Sequence, residues 1–128
     1  MRLLLDTHAF LWGLEASDRL SASARAAMQD IANHKFVSHA SLWEITIKAA
    51  LGKLRLLEPW GETLRQIERR VPGTVLPCTA AHLEKLCELP HHHRDPFDRM
   101  LVAQALADDL TLVSDDGVLD RYGVRRLW

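Results

Sequence analysis

Apolar residues along the chain fall into two patterns, short unbroken runs and helical repeats. Leu3, Leu4 and Leu5 form a run stopped by Asp6, and Leu110 to Val113 form another that ends in Ser114, Asp115 and Asp116. Short apolar runs bounded by polar residues read as buried strands. Lys35 to Ser38, Val75-Leu76 and Val124 to Leu127 are three further strand candidates. Between the runs the apolar positions recur at helical spacing. Ala9 to Trp12 reads as helical. Ser21 caps a helix predicted to reach about Asn33, with Ala24, Ala27, Met28 and Ile31 on its apolar face. Ala40 to Leu51 carries Leu42, Trp43, Ile45, Ile47 and Ala50, and Gly52 ends it. Trp60 to Arg70 is amphipathic, with Leu64 and Ile67 inward and Arg65, Arg69 and Arg70 outward, and Thr79 caps a helix bearing Leu83, Leu86 and Leu89. The clearest helix start is Asp95-Pro96, an N-cap followed by proline at the first helical position, after which Phe97, Met100, Leu101 and Ala105 share a face. Gly117 to Arg121 predicts a short turn.

Strands alternating with helices predict an α/β fold, a parallel sheet covered by helices on both faces. In such a sheet the strand C-termini and the helix N-termini share one edge. Asp6 and Asp116 fall just past strands, and Glu44 and Asp98 fall in early helical turns, so the topology places four carboxylates on that edge. Each has an ordinary explanation alone. Asp95 and Asp98 suit a helix start, Asp115-Asp116-Gly117 suits a turn, and Glu44 with Lys48 one turn later suits a solvated ion pair. The apolar Trp43, Ile45 and Ile47 beside Glu44 predict a position less solvated than that pairing usually is.

Composition changes this picture only at its margins. At 128 residues, 48% of them hydrophobic, the chain is expected to form one domain with a real core. Cys78 and Cys87 match no metal or redox spacing and are expected to be small buried apolar residues, as suits a reducing cytoplasm. Met1-Arg2-Leu3-Leu4-Leu5-Asp6 meets a charge too soon for a signal peptide or a membrane span. A net charge of -1 excludes a globally basic nucleic-acid binder. His91, His92 and His93 are consecutive and diverge in direction, so a solvated loop is expected there rather than a ligand set. Trp12, Trp43 and Trp60 read as core or interface residues rather than base-stacking platforms.

Carboxylates packed together raise one another's pKa unless a cation joins them. Oxygen-only ligation suits Mg²⁺ or Mn²⁺, and such ions support phosphodiester hydrolysis. Four stretches carry a resemblance in the same direction: Leu4-Leu5-Asp6-Thr7-His8, Val37 to Ile45, Arg94 to Leu101, and Leu112 to Asp116. In order and spacing they resemble the acidic motifs of PIN-domain ribonucleases, and the whole chain, residues 1–128, is similar to VapC-type toxins of bacterial toxin-antitoxin pairs. The resemblance implies a three-layer α/β/α PIN fold with a central, mostly parallel five-stranded sheet. It also implies a Mg²⁺- or Mn²⁺-dependent endoribonuclease, usually a cytoplasmic homodimer, inhibited by a VapB-like antitoxin.

Carried over by position, Asp6, Glu44, Asp98 and Asp116 would be the catalytic, metal-binding acids. The residues alone leave Asp115 and Asp116 both open, and the resemblance selects Asp116, because Leu119 and Tyr122 then match the family's apolar and tyrosine positions. Leu119 stands where Phe is common. Ser114 would orient a metal-bound water, Thr7 lies beside Asp6 as a supporting residue, and Asp95 is assigned to capping with an outer role at the metal as its alternative. Lys48, Arg94 and Arg99, close in sequence to the acids, are candidate RNA contacts, while Lys53, Arg55 and the Arg65, Arg69 and Arg70 group read as a solvated face.

Three rivals are weighed against this reading. An aspartyl-phosphate phosphatase would show a second Asp two residues after Asp6, where His8 stands. A receiver-like domain would need an acid after the middle strand, and Pro77-Cys78 supplies none. A PIN-like module that binds RNA or a partner without cleaving is the remaining alternative, and the presence of all four acids counts against it.

Overall fold

The computed structural model describes residues 1–70 and 73–128; the expected outward placement of the Arg70 side chain lies outside the described residues. Five strands form one parallel sheet in the order β3-β2-β1-β4-β5, namely β1 (Arg2–Leu5), β2 (His34–Ser38), β3 (Val75–Leu76), β4 (Thr111–Val113) and β5 (Arg126–Leu127). The register pairs Leu5 with Val37 on one side and with Val113 on the other. The helices are α1 (Thr7–Leu14), α2 (Ala22–Gln29), α3 (His39–Ala50), α4 (Trp60–Arg70), α5 (Ala80–Glu88) and α6 (Pro96–Ala107), with a 3-10 helix at Gly117–Tyr122.

Strand alternation divides the core in two. Leu3 and Leu5 face α1 to α4, packing with Phe10, Ala24, Leu42 and Ile45. Leu4 and Leu112 point the other way, onto Leu89 of the loop after α5 and Leu101, Val102 and Ala105 of α6. The result is the expected three-layer α/β/α arrangement, with every strand pairing parallel.

Most predicted elements stand within a residue or two of their expected limits, and the exceptions have identifiable causes. Asp30 ends α2 in an extended conformation, so Ile31 lies beyond the helix and is 97% exposed rather than inward. In α5 the buried residue is His82 and Leu83 is exposed. The His82 ring accepts from the Thr79 N–H through Nδ1 and lies 2.9 Å from Asp108 Oδ2 through Nε2, so its polar atoms are satisfied where it is buried. Cys78 and Cys87 are exposed, against the expectation of burial, because each sits on the solvent side of its segment. Gly52 does follow α3, at φ +69°, where a side chain would be strained.

Candidate metal centre

The sheet order places the site. β1 and β4 are neighbours, and the chain leaves them toward different halves of the sheet, which opens a crevice at their carboxyl ends. Asp6 follows β1 and Ser114, Asp115 and Asp116 follow β4, so both lie at this reversal point. α3 and α6 begin beside it and deliver Glu44 and Asp98.

Asp6 is 4% exposed and caps α1, its Oδ1 accepting from the Ala9 N–H at 2.6 Å. Burial pushes its carboxyl up from the ordinary value; hydrogen bonds from the Ser114 side chain and Ala9 and the nearby His8 act against that, and Asp115 adds to it. Glu44 is also buried, at 5% exposure. Thr7 Oγ1 donates to its Oε1 at 2.6 Å and Lys48 Nζ to its Oε2 at 2.7 Å, which fixes both oxygens. The Glu44–Lys48 pair is thus half-buried, as its apolar neighbours predict, although Trp43 and Ile47 themselves are exposed and Leu42 and Ile45 supply the burial.

Asp98 is strongly perturbed. Burial first, then the Asp95, Asp6 and Glu44 charges, with His93 opposing, raise its carboxyl from 3.8 to about 7. Asp95 caps α6, its Oδ1 accepting from the Phe97 and Asp98 N–H groups. Asp116 caps the 3-10 helix through Val118 N–H, and its own N–H donates to Ser114 Oγ at 3.1 Å, so Ser114 touches both Asp6 and Asp116. Asp115, the other member of the doublet, is exposed.

His93 is the residue that the sequence reading missed. Its Nε2 lies 2.8 Å from Asp116 Oδ2 and 3.5 Å from Asp98 Oδ2, and among the described residues these three offer ligand atoms all within 4.8 Å of one another. The ring is aimed by its neighbours: Nδ1 accepts from the Asp95 N–H, and the His93 backbone N–H donates to the Tyr122 hydroxyl. An Nδ1 that accepts leaves the proton of a neutral ring on Nε2, so this hydrogen-bond pattern makes His93 a donor to the carboxylates rather than a metal ligand. Only the last histidine of the three turns inward. His91 is exposed, and His92 lies edge-on to Tyr122.

Arg99 departs from its expected place. It is 8% exposed, and its guanidinium donates to the Pro90 and Leu89 carbonyls and to the Tyr122 hydroxyl, so it braces the loop before α6 instead of facing the crevice. Arg94 is exposed, and Lys48 stays partly exposed at the rim.

Of the four predicted acids, Asp98 and Asp116 come within 4.8 Å of each other, and Asp6 and Glu44 stand outside that group while their charges still act on Asp98; hard oxygen donors of this kind fit a small divalent ion. The sequence profile of the PIN domain matches residues 3–124. The chain belongs to the PIN domain family. Solved PIN-like neighbours reproduce its fold: a chain in the structure of VapBC2 from Rickettsia felis bound to a DNA fragment from their promoter superposes at TM-score 0.72 and 17% identity, covering 100% of this chain and 99% of that one. A chain in FitAcB from Neisseria gonorrhoeae gives 0.70 and 17%, covering 98% and 96%. One in VapBC-1 from nontypeable Haemophilus influenzae gives 0.70 and 16%, covering 99% and 97%. No curated protein sequence matches the chain. For this PIN domain the neighbours establish architecture, and the chemistry is read from the residues at the crevice.

Proposed function

We propose that the chain is a metal-dependent endoribonuclease, one PIN domain spanning residues 1–128, acting as the toxin of a toxin-antitoxin pair. The observation that carries this reading is the meeting of Asp98 and Asp116, with His93, within 4.8 Å at the reversal point of the sheet, where burial and the charges of Asp95, Asp6 and Glu44 push Asp98 up to about 7. Such a cluster is stable at neutral pH when a cation joins it.

Asp6, Glu44, Asp98 and Asp116 would hold Mg²⁺ or Mn²⁺, and the chemistry such an ion would supply there is activation of a water and neutralisation of charge on a phosphodiester. The chain's own groups prepare the place. Ser114 links Asp6 to Asp116, Thr7 and Lys48 fix the two Glu44 oxygens, and His93 holds Asp116. Asp95 shapes the first turn that carries Asp98. Lys48 and Arg94 offer positive charge at the rim for RNA phosphates; Arg99, committed to Pro90, Leu89 and Tyr122, does not.

The likeness to chains of VapBC and FitAB complexes supports a VapB-like antitoxin as partner, and no described helix is long and apolar enough to cross a membrane. Homodimerisation is supported by Trp43 and Ile47 of α3 and Leu51 at its C-cap, exposed at four-residue intervals.

Purified protein free of antitoxin, incubated with end-labelled total RNA, is expected to make discrete cuts with Mn²⁺ or Mg²⁺, none with EDTA, and none as Asp6→Asn or Asp98→Asn. Cleavage that persists in both variants, or no cleavage by folded wild-type protein with any metal, would remove the nuclease assignment.

A further inference from the structure

Beyond Asp6, the exposed side of α1 carries a feature that the acid chemistry does not use. His8 and Trp12 lie one helical turn apart, their rings stacked with centroids 5.4 Å apart and planes 25° apart. Trp12 is half-buried against the core and leans on Trp128 at 5.8 Å, while the Arg19 guanidinium sits 5.7 Å from the indole centroid. His8, by contrast, is exposed. The indole is therefore a rigid backing, and the imidazole propped on it presents its other face to solvent. His8, Trp12, Arg19 and Asp115 line an open cleft of about 500 Å³.

This cleft adjoins the acids. His8 is two residues from Asp6 and Asp115 is next to Asp116, and Asp6, raised chiefly by burial, also feels the charges of both His8 and Asp115. The lining narrows the chemistry of an occupant. A flat aromatic face suits a planar ring, Arg19 suits an anion or a second stacked plane, and Asp115 suits an N–H or O–H donor. A purely apolar occupant would leave Arg19 and Asp115 without a role. An unpaired nucleotide uses all of them, with its base on His8, its phosphate toward Arg19, and its exocyclic amine or ribose hydroxyl toward Asp115. A duplex cannot, because its base faces are already stacked.

We infer that His8, Trp12, Arg19 and Asp115 form a subsite for an unpaired nucleotide beside the acid cluster, so that single-stranded or looped RNA is the substrate presented there. The inference rests on the RNA reading of that cluster. Trp12 thereby supports stacking from within the core, and His8 makes the contact.

The test is fluorescence anisotropy in EDTA with labelled octaadenylate, octauridylate and a blunt RNA duplex of the same length, using wild type, His8→Ala and His8→Phe. Thermal unfolding checks that each variant is folded. His8→Ala is expected to weaken single-strand binding about tenfold, His8→Phe to keep it within about twofold, and the duplex to respond to neither. Equal affinity of wild type and His8→Ala would overturn the subsite and assign the aromatic face to a protein contact. Equal losses on single strand and duplex, or no wild-type binding to either oligonucleotide, would overturn it too. The two readings separate cleanly. Cleavage abolished by Asp98→Asn alongside His8-independent binding keeps the nuclease and removes the subsite. His8-dependent binding without metal-dependent cleavage does the reverse.

Discussion

At the scale of single residues, Asp98 links the chemistry to stability. Its carboxyl is raised from 3.8 to about 7, so the folded protein keeps a proton that the unfolded chain releases. That contribution is fully present below the unfolded value and is lost as pH rises from about 4 through about 7. In EDTA the melting temperature is therefore expected to fall over this window, and Asp98→Asn is expected to flatten the fall and to melt several degrees above wild type at pH 8. Parallel curves for the two proteins would contradict this account. His93 can be tested through the metal itself. His93→Ala removes the Nε2–H held 2.8 Å from Asp116 and should weaken Mn²⁺ binding roughly tenfold by calorimetry, as loss of an outer partner typically does. Unchanged affinity would reduce His93 to a loop residue. The acids could be read along the chain because each stands at a strand end or a helix start, and those positions share an edge in any parallel α/β sheet. His93 could not. Adjacent histidines diverge, and the one turned inward is chosen by the Asp95 N–H and by Tyr122, which lies 29 residues away.

At the scale of elements, α6 holds the site in register. Its first turn carries Asp98, and the next turns bury Leu101, Val102, Ala103, Gln104 and Ala105 in succession, more than the single apolar face that the sequence predicts. A helix start that is well capped and a body buried from Leu101 to Ala105 leave little freedom at the acid. Leu101, fully buried, should cost about 2–5 kcal/mol of stability as Leu101→Ala, read from denaturant unfolding, with the midpoint rather than the slope moving. A cost near zero would mean that α6 is not part of the cooperative core. α5 teaches the opposite lesson about apolar spacing. Leu83 is at helical spacing with Leu86, yet His82 takes the interior because Thr79 and Asp108 satisfy its ring. Periodicity counts apolar side chains and is blind to a polar one whose partners arrive from elsewhere.

For the molecule as a whole, strand order decides more than strand number. The order β3-β2-β1-β4-β5 brings the ends of β1 and β4 together, and the crevice between them exists only in that arrangement. The same view leaves the stripe of Trp43 and Ile47 on α3 and Leu51 at its C-cap exposed. Wild-type protein is expected to elute as a dimer in size-exclusion chromatography with light scattering, and Trp43→Glu with Leu51→Glu to shift it to monomer while keeping its helical circular dichroism. A monomeric wild type at micromolar concentration would dispose of that assignment. The amino-acid sequence by itself determined the alternation of strands and helices, the caps at Ser21, Thr79 and Asp95, and the shared edge of the acids, because these follow from local sterics, hydrogen bonding of free helix ends and hydrophobic period. Tertiary structure alone decided that His93 joins Asp98 and Asp116, that Arg99 is buried away from the crevice and that His8 lies flat on Trp12. Each depends on segments remote in sequence or on a side chain's choice among directions, and only the packed chain selects one.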